Sequence, residues 1–204
     1  MSNPDFRWLG RQPYQPFATA MRQHAEKLQA GDEKEVIWCC EHDPIYTTGR
    51  RAIDNRITPT LPAALIVSDR GGETTFHGPG QLMLYPIINL KRRHLAPRAY
   101  VALLEEGCIR LLADYGIITA RRKGAPGVWT TCGKIAAIGL RISRGVVWHG
   151  MALNVTTKLA WFDPIHPCGL NFAMDSIAHH ATPQPLAVLA NQWAKNLNQL
   201  LEIL

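Results

Sequence analysis

The chain has 204 residues, 47% hydrophobic and 19% charged, which is a globular composition sized for one large domain or two very small ones. No apolar run approaches the roughly eighteen residues of a membrane span. Residues 1–30 interleave Asp5, Arg7, Arg11, Arg22 and Glu26 where a signal peptide needs an apolar stretch. The net charge of +6 is clustered at Arg50-Arg51, Lys91-Arg92-Arg93-His94, Arg121-Arg122-Lys123 and Arg141 with Arg144, a surface suited to acidic partners, whether nucleic acid or an acidic protein.

Tyr14 to Gly31 reads as a helix, with Pro16 in its first turn and Gly31 as its stop. VIWCC (36–40) and ALIVS (64–68) are short apolar runs of strand formers. LMLYPIINL (82–90) is a third strand, in which Pro86 predicts an edge position or a bulge. Tyr100, Leu104, Cys108, Leu111 and Tyr115 recur at helical spacing, so 98–115 is an amphipathic helix ended by Gly116. GVWTT (127–131), a Cys132-Gly133 turn, KIAAIGLRIS (134–143), an Arg144-Gly145 turn and VVWHGMALNV (146–155) predict an antiparallel meander. PLAVLANQWAKNLNQLLEIL closes the chain as a helix. No repeat or linker breaks the pattern. The expectation is a single α+β domain over 1–204, with a mostly antiparallel sheet flanked by helices.

RGGETTFHGPGQL (70–82) concentrates glycine beside one arginine and one histidine. It fits neither a Walker loop nor a dinucleotide-binding loop, and a strand rather than a helix follows it. Without a helix N-terminus behind it, the loop lacks the usual anion cradle. It is therefore expected to line a slot for an uncharged chain.

Among the cysteines, Cys39 and Cys40 lie in an apolar run and Cys108 on a buried helical stripe, so all three read as core. Cys132 stands at a hairpin tip two residues before Lys134. Cys168 stands between Pro167 and Gly169, where backbone is fixed and exposed, as a reactive thiol needs. Five cysteines with no CxxC pair argue against a disulfide framework and for a reducing cytoplasm.

Lys134 opens an apolar strand whose small residues, Ala136, Ala137 and Gly139, admit a close ligand or backbone. A free thiol of pKa about 8.5 is mostly protonated at neutral pH. A cation at about 4 Å offers up to roughly 4 kcal/mol towards the thiolate, at an effective dielectric near 20. His77 and His149, each followed by glycine, are placed to border the slot, whereas His166, His179 and His180 are expected to meet water. No spacing predicts a zinc site.

In this order and spacing, RGGETTFHGPGQL, GVWTTCGKIAAIGL, HGMALNV and PCGL, with EHDPIYTTGR at 41–50, resemble the lipoyl(octanoyl) transferases, octanoyl-[acyl-carrier-protein]:protein N-octanoyltransferases. The resemblance implies an α+β fold like the biotin and lipoate protein ligase catalytic domain. It places the acyl-accepting cysteine at Cys168 and the lysine that lowers its pKa at Lys134. The implied acyl-binding positions are Arg70, Gly71, Gly72, Glu73, Thr74, Thr75, Phe76 and His77, then Ala137, Ile138 and Gly139, then Gly150, Met151 and Ala152. Phe76 stands where the family often has tyrosine, and Met151 where leucine is usual.

The reaction implied moves an octanoyl group from octanoyl-acyl carrier protein to a lysine of a lipoyl domain, in lipoate biosynthesis. The acceptors implied are the lipoyl domains of 2-oxoacid dehydrogenases and glycine cleavage H-protein. No ATP, metal or organic cofactor is expected, and neither nucleic acid nor membrane is an expected partner. Two alternatives are an ATP-dependent lipoate–protein ligase and a non-catalytic module that binds carrier proteins.

Overall fold

Asp5–Gln12 forms a strand, β1, that the sequence pattern does not announce. DFRWLGRQ alternates poorly, because the register shifts between Trp8 and Arg11 around Gly10. Phe6 and Trp8 nonetheless reach the core. The computed structural model describes residues 2–49, 61–165 and 172–203. Helix α1 (Tyr14–Ala30) follows β1 and leads to β2 (Val36–His42), which pairs with β1 in parallel. A parallel pair needs such a crossover, and the helix supplies it.

The main sheet continues through β6 (Gln81–Asn89), β9 (Val146–Asn154), β8 (Lys134–Ser143) and β7 (Gly127–Trp129), in the order β1-β2-β6-β9-β8-β7. All of its pairings except β1–β2 are antiparallel, as expected. Arg144 and Gly145, with φ of 48° and 84°, form the tight β8–β9 turn. A second, three-stranded sheet stands beside it in the order β4-β3-β5, built from β3 (Ile45–Thr48), β4 (Leu65–Val67) and β5 (Thr75–His77).

Period-two alternation sends the main sheet's side chains to two cores. Ile37, Cys39, Leu82 and Leu84 face α2 (Pro97–Ala113) and α3 (Leu186–Glu202). Val36, Cys40, Met83 and Tyr85 face α1, which contributes Phe17, Met21, Ala25 and Leu28. Helix α3 buries Leu189, Trp193, Leu197 and Leu201, one residue per turn along a single stripe. Each large side chain of that stripe is worth about 1.5–3 kcal/mol of burial.

Pro86 does not mark an edge, for β6 lies third in the six-stranded sheet. Pro86 pairs with Ile37 of β2, while the ladder to β9 pairs Leu84 with Met151 and resumes at Ile88 with Val147. The register is the same on both sides, so no residue is inserted either. The proline sits where the ladder is interrupted, which answers its missing N–H. Across from it, His149 has a φ of 59°, and the main chain at Gly150 comes so close to β6 that an added Cβ would lie 1.9 Å from the Leu84 carbonyl oxygen.

Gly150→Ala should therefore destabilise the fold by about 2 kcal/mol or more, through forced separation of β6 and β9. Urea unfolding of both proteins measures it, and an unchanged midpoint would contradict this account of the contact.

Candidate active site

The second sheet and the turn after β4 stand over β8 and β9, and the space between is a partly open cavity. Its roof is the glycine-rich segment: Arg70, Gly72, Glu73, Thr74, Thr75 and His77 all line it. Ala137, Ile138 and Gly139 of β8 and Gly150, Met151 and Ala152 of β9 form the floor. The roof can approach the floor because β8 carries no side chain at 139: a Cβ there would lie 3.1 Å from Arg70 Cδ and from the Gly71 carbonyl oxygen. Gly71 N–H also donates to the Leu140 carbonyl at 2.8 Å. Arg70 is buried and donates to Thr47 main chain and hydroxyl and to the Gly71 carbonyl, so its guanidinium braces the roof.

Lys134 lies at one end of the cavity with 1% of its surface exposed. Although it opens a strand, its side chain is not solvated. Its ammonium donates to the Pro126 carbonyl at 3.1 Å and stands 4.8 Å and 5.0 Å from the ring centres of Trp129 and Phe172. Aromatic faces attract such a cation and limit the cost of its burial. The main chain of Lys134 is clamped as well: its N–H donates to Ala173, and its carbonyl accepts from Asp175 N–H, both at 2.9 Å.

Asp175 is fully buried and satisfied on both oxygens. Oδ1 accepts from Ser176 N–H and His179 Nδ1, and Oδ2 from the Thr130 hydroxyl and His180 Nε2. Burial pushes this carboxyl up, but the donors outweigh it and hold it below the usual carboxylate range. His179 and His180 thus bind a buried carboxylate rather than simply meeting water.

Three further histidines surround the roof. His77 donates from Nδ1 to Gln81 Oε1 at 2.8 Å, and Gln81 in turn donates to Asn154, which donates to the Asp175 carbonyl. Burial above all, then the Arg70 charge, lowers the pKa of His77 to about 3. The ring is neutral, and its Nε2 is an acceptor. His42 donates to the Gln12 carbonyl and accepts from the Tyr85 hydroxyl, and burial lowers its pKa too. His149 donates to Asp69 at 2.6 Å; burial lowers its pKa more than Asp69 raises it.

Most of the residues expected at the slot do line it, and so does His149. Phe76 does not. It alternates with Thr75 and His77 along β5 and points the other way, fully buried and stacked on Trp161 at 4.8 Å. Gly71 contributes its main chain to the roof and β8 rather than to the lining. Tyr14, Met83, Tyr85 and Met174 line the cavity without having been anticipated. Alternation along LMLYPIINL could have found Met83 and Tyr85; nothing local marks Tyr14 or Met174.

Cys168 lies outside the described residues, as do Arg50, Arg51 and His166. Cys39, Cys40 and Cys108 are buried free thiols, as expected, and Cys132 is an exposed one. The basic clusters are partly spent internally. Arg93 is largely buried against Glu35 at 2.5 Å, and Arg121 pairs with Glu105 and Glu106.

The fold is that of the biotin and lipoate protein ligase catalytic domains. The biotin protein ligase of Aquifex aeolicus superposes with a TM-score of 0.61 at 11% identity, over 97% of this chain and 70% of that one. A bipartite lipoate protein ligase of Thermoplasma acidophilum reaches 0.73 at 12% identity, over 99% and 85%. Sequence narrows the class: residues 12–197 match the lipoyl protein ligase A/B catalytic domain, and the chain is an enzyme of that family. It is 43% identical to proteins named octanoyltransferase from Halorhodospira halophila and Klebsiella pneumoniae, over 80% of this chain and 75% and 76% of theirs.

The neutral His77 makes stability depend on pH. An unfolded histidine, with a pKa near 6.5, takes up a proton that the folded ring refuses down to about 3. Stability should fall as pH drops through that window, by up to about 1.4 kcal/mol per unit for this one group. His77→Gln should flatten the slope in urea unfolding as pH falls from 7, by an amount that grows to about one proton near pH 4.5. An unaltered slope would mean that His77 titrates normally in the fold.

Proposed function

We propose that this enzyme, a single catalytic domain over 1–204, moves an octanoyl group from acyl carrier protein to a lipoyl-domain lysine through a thioester on Cys168. The observation that carries the reading is Lys134, a buried ammonium at the end of a slot whose floor is made of small and apolar residues. Phe172, whose ring faces that ammonium, follows Cys168 by four residues, a span of at most about 14 Å of extended chain. Glycine and alanine at 137, 139, 150 and 152 leave room for methylenes. Relatives named octanoyltransferase supply the acyl length.

The steps follow from the charges. Cys168 thiolate, favoured by the Lys134 ammonium, attacks the thioester carbonyl carbon. The new carbon–sulfur bond replaces the one to the carrier, whose departing thiolate takes a proton from Lys134. The acceptor ε-amine then attacks the acyl-enzyme, an amide bond forms, and Cys168 leaves as thiolate. Lys134, now an amine, takes the proton lost by the attacking nitrogen and is an ammonium again. The cycle balances without ATP, metal or organic cofactor. The acceptors are lipoyl domains of the 2-oxoacid dehydrogenase and glycine cleavage type. The described cysteines are free thiols and no described helix is long and apolar enough to cross a membrane, which supports a reducing, cytoplasmic setting.

Incubation with octanoyl-acyl carrier protein and no ATP should add one octanoyl group to the enzyme, mapped to Cys168 and lost in Cys168→Ser. An adduct on Cys132 would overturn the assignment, and a requirement for ATP would point to the ligase chemistry instead. In Lys134→Ala, iodoacetamide alkylation of Cys168 should shift to higher pH and acylation should slow at neutral pH. Lys134→Arg should restore the alkylation profile more than the transfer rate, because guanidinium keeps the charge but cannot take the proton. An unchanged profile in Lys134→Ala would remove the lysine from the first step. Arg122, Lys123 and Arg144, which make no ion pair among the described residues, leave a basic surface for the acidic carrier. The KM for the carrier should rise with ionic strength across the range where screening lengths shrink from about 30 to 8 Å. A flat KM would contradict electrostatic docking.

A further inference from the structure

The turn 130–133 brings Cys132 to the buried carboxylate that His179 and His180 share. One donor atom each of Cys132, Asp175 and His180 lies within 4.8 Å of the others, the group with metal-ligand character among the described residues. The sequence spacing gives no hint of it, since the turn between β7 and β8 and the segment after 172 are distant in the chain. We propose that Cys132, Asp175 and His180 form a zinc-binding site beside Lys134, distinct from the acyl slot.

The donor chemistry selects the ion. A thiolate, an imidazole and a carboxylate form a mixed S, N, O set, which suits a borderline-soft divalent ion and not magnesium or calcium. Three protein ligands leave a fourth tetrahedral position for water. Ligand atoms around zinc lie roughly 3.3–3.8 Å apart, so the widest separation in the group must close by up to about 1.5 Å while His180 Nε2 and Asp175 Oδ2, 2.6 Å apart, open by about 0.7 Å. The two exposed members can do that, because Cys132 is on a turn and His180 on the surface.

The supporting shell is already built. The Thr130 hydroxyl donates to Asp175 Oδ2 and accepts Cys132 N–H at 3.0 Å and Gly133 N–H at 3.2 Å. One hydroxyl thus fixes both the turn that carries the thiol and the carboxylate that faces it. Ser176 N–H and His179 hold the other carboxylate oxygen. Such outer partners orient ligands and raise affinity. His180 Nε2 now shares a proton with Asp175 Oδ2 at 2.6 Å. Zinc would bind the neutral His180 ring through Nε2, its proton moving to Nδ1, and the Cys132 sulfur as thiolate, so that binding competes with the thiol proton and strengthens as pH rises.

The position gives the site a consequence. Asp175 N–H bonds the Lys134 carbonyl, and Cys132 precedes Lys134 by two residues. An ion joining 132 to 175 and 180 would cross-link both flanks of Lys134 and stabilise that corner of the fold.

The test uses the full chain with Zn²⁺ and Co²⁺ as probes. Calorimetry should show one Zn²⁺ per chain, Co²⁺ should give a thiolate charge-transfer band in the near ultraviolet, and zinc should raise the melting temperature. Losing an outer partner costs about 10–100-fold in affinity, so losing a ligand in Cys132→Ser or His180→Gln should cost about 100-fold or more. In Cys132→Ser the cobalt band and the thermal shift should vanish while the circular dichroism of the apoprotein stays unchanged. Cys168→Ser should keep both. A band that survives Cys132→Ser, a band lost in Cys168→Ser, or no saturable zinc binding at all would each overturn the site.

Discussion

Two main-chain hydrogen bonds, from Lys134 N–H to Ala173 and from Asp175 N–H to Lys134, hold the start of β8 against the segment that returns after residue 171. That pairing is what brings an ammonium, two aromatic rings and a buried carboxylate to one corner of the molecule. Asp175 makes it durable. Its two oxygens accept four hydrogen bonds, so that moving the segment would leave a buried carboxylate unsatisfied, at several kcal/mol. The chain His77–Gln81–Asn154–Asp175 carries the same constraint across the sheet to the roof of the slot.

Glycines set the complementary limit, which is how near the layers can come. At 139 and 150 an added Cβ would meet main-chain oxygen, so the roof rests on β8 and β6 on β9 only because those side chains are absent. The cavity is therefore apolar below, where β8 and β9 supply alanine, glycine, isoleucine and methionine. It is polar above and at its end, where arginine, neutral histidine and lysine are each held by hydrogen bonds. An acyl chain with a reactive head suits that division.

Most of the fold was legible because its signals are local. Helical spacing in 98–115, strand runs at 36–40 and 134–143, and the Arg144-Gly145 turn each report the conformation of their own residues. The misreadings arise where partners decide. Pro86 argues for an edge by itself, yet a central strand tolerates it because the ladder to β9 is interrupted beside it. Strand β1 carries charge and a bulge and is strand only because β2 offers a parallel partner. Phe76 belongs to the slot by motif and to the Tyr46–Trp161–Phe162 cluster by the alternation of β5.

By itself the sequence determined the helices and central strands, the glycine-rich roof, the core cysteines and the family, because periodicity, turn chemistry and motif order need only neighbours along the chain. It also singled out Lys134 by the oddity of a lysine opening an apolar strand. Only the tertiary structure decided that this lysine is buried against Trp129 and Phe172, that His77 is neutral, and that His179 and His180 close on Asp175 beside Cys132. Burial, and the approach of groups far apart in the chain, are set by how the sheets and helices close on one another. No local pattern records them.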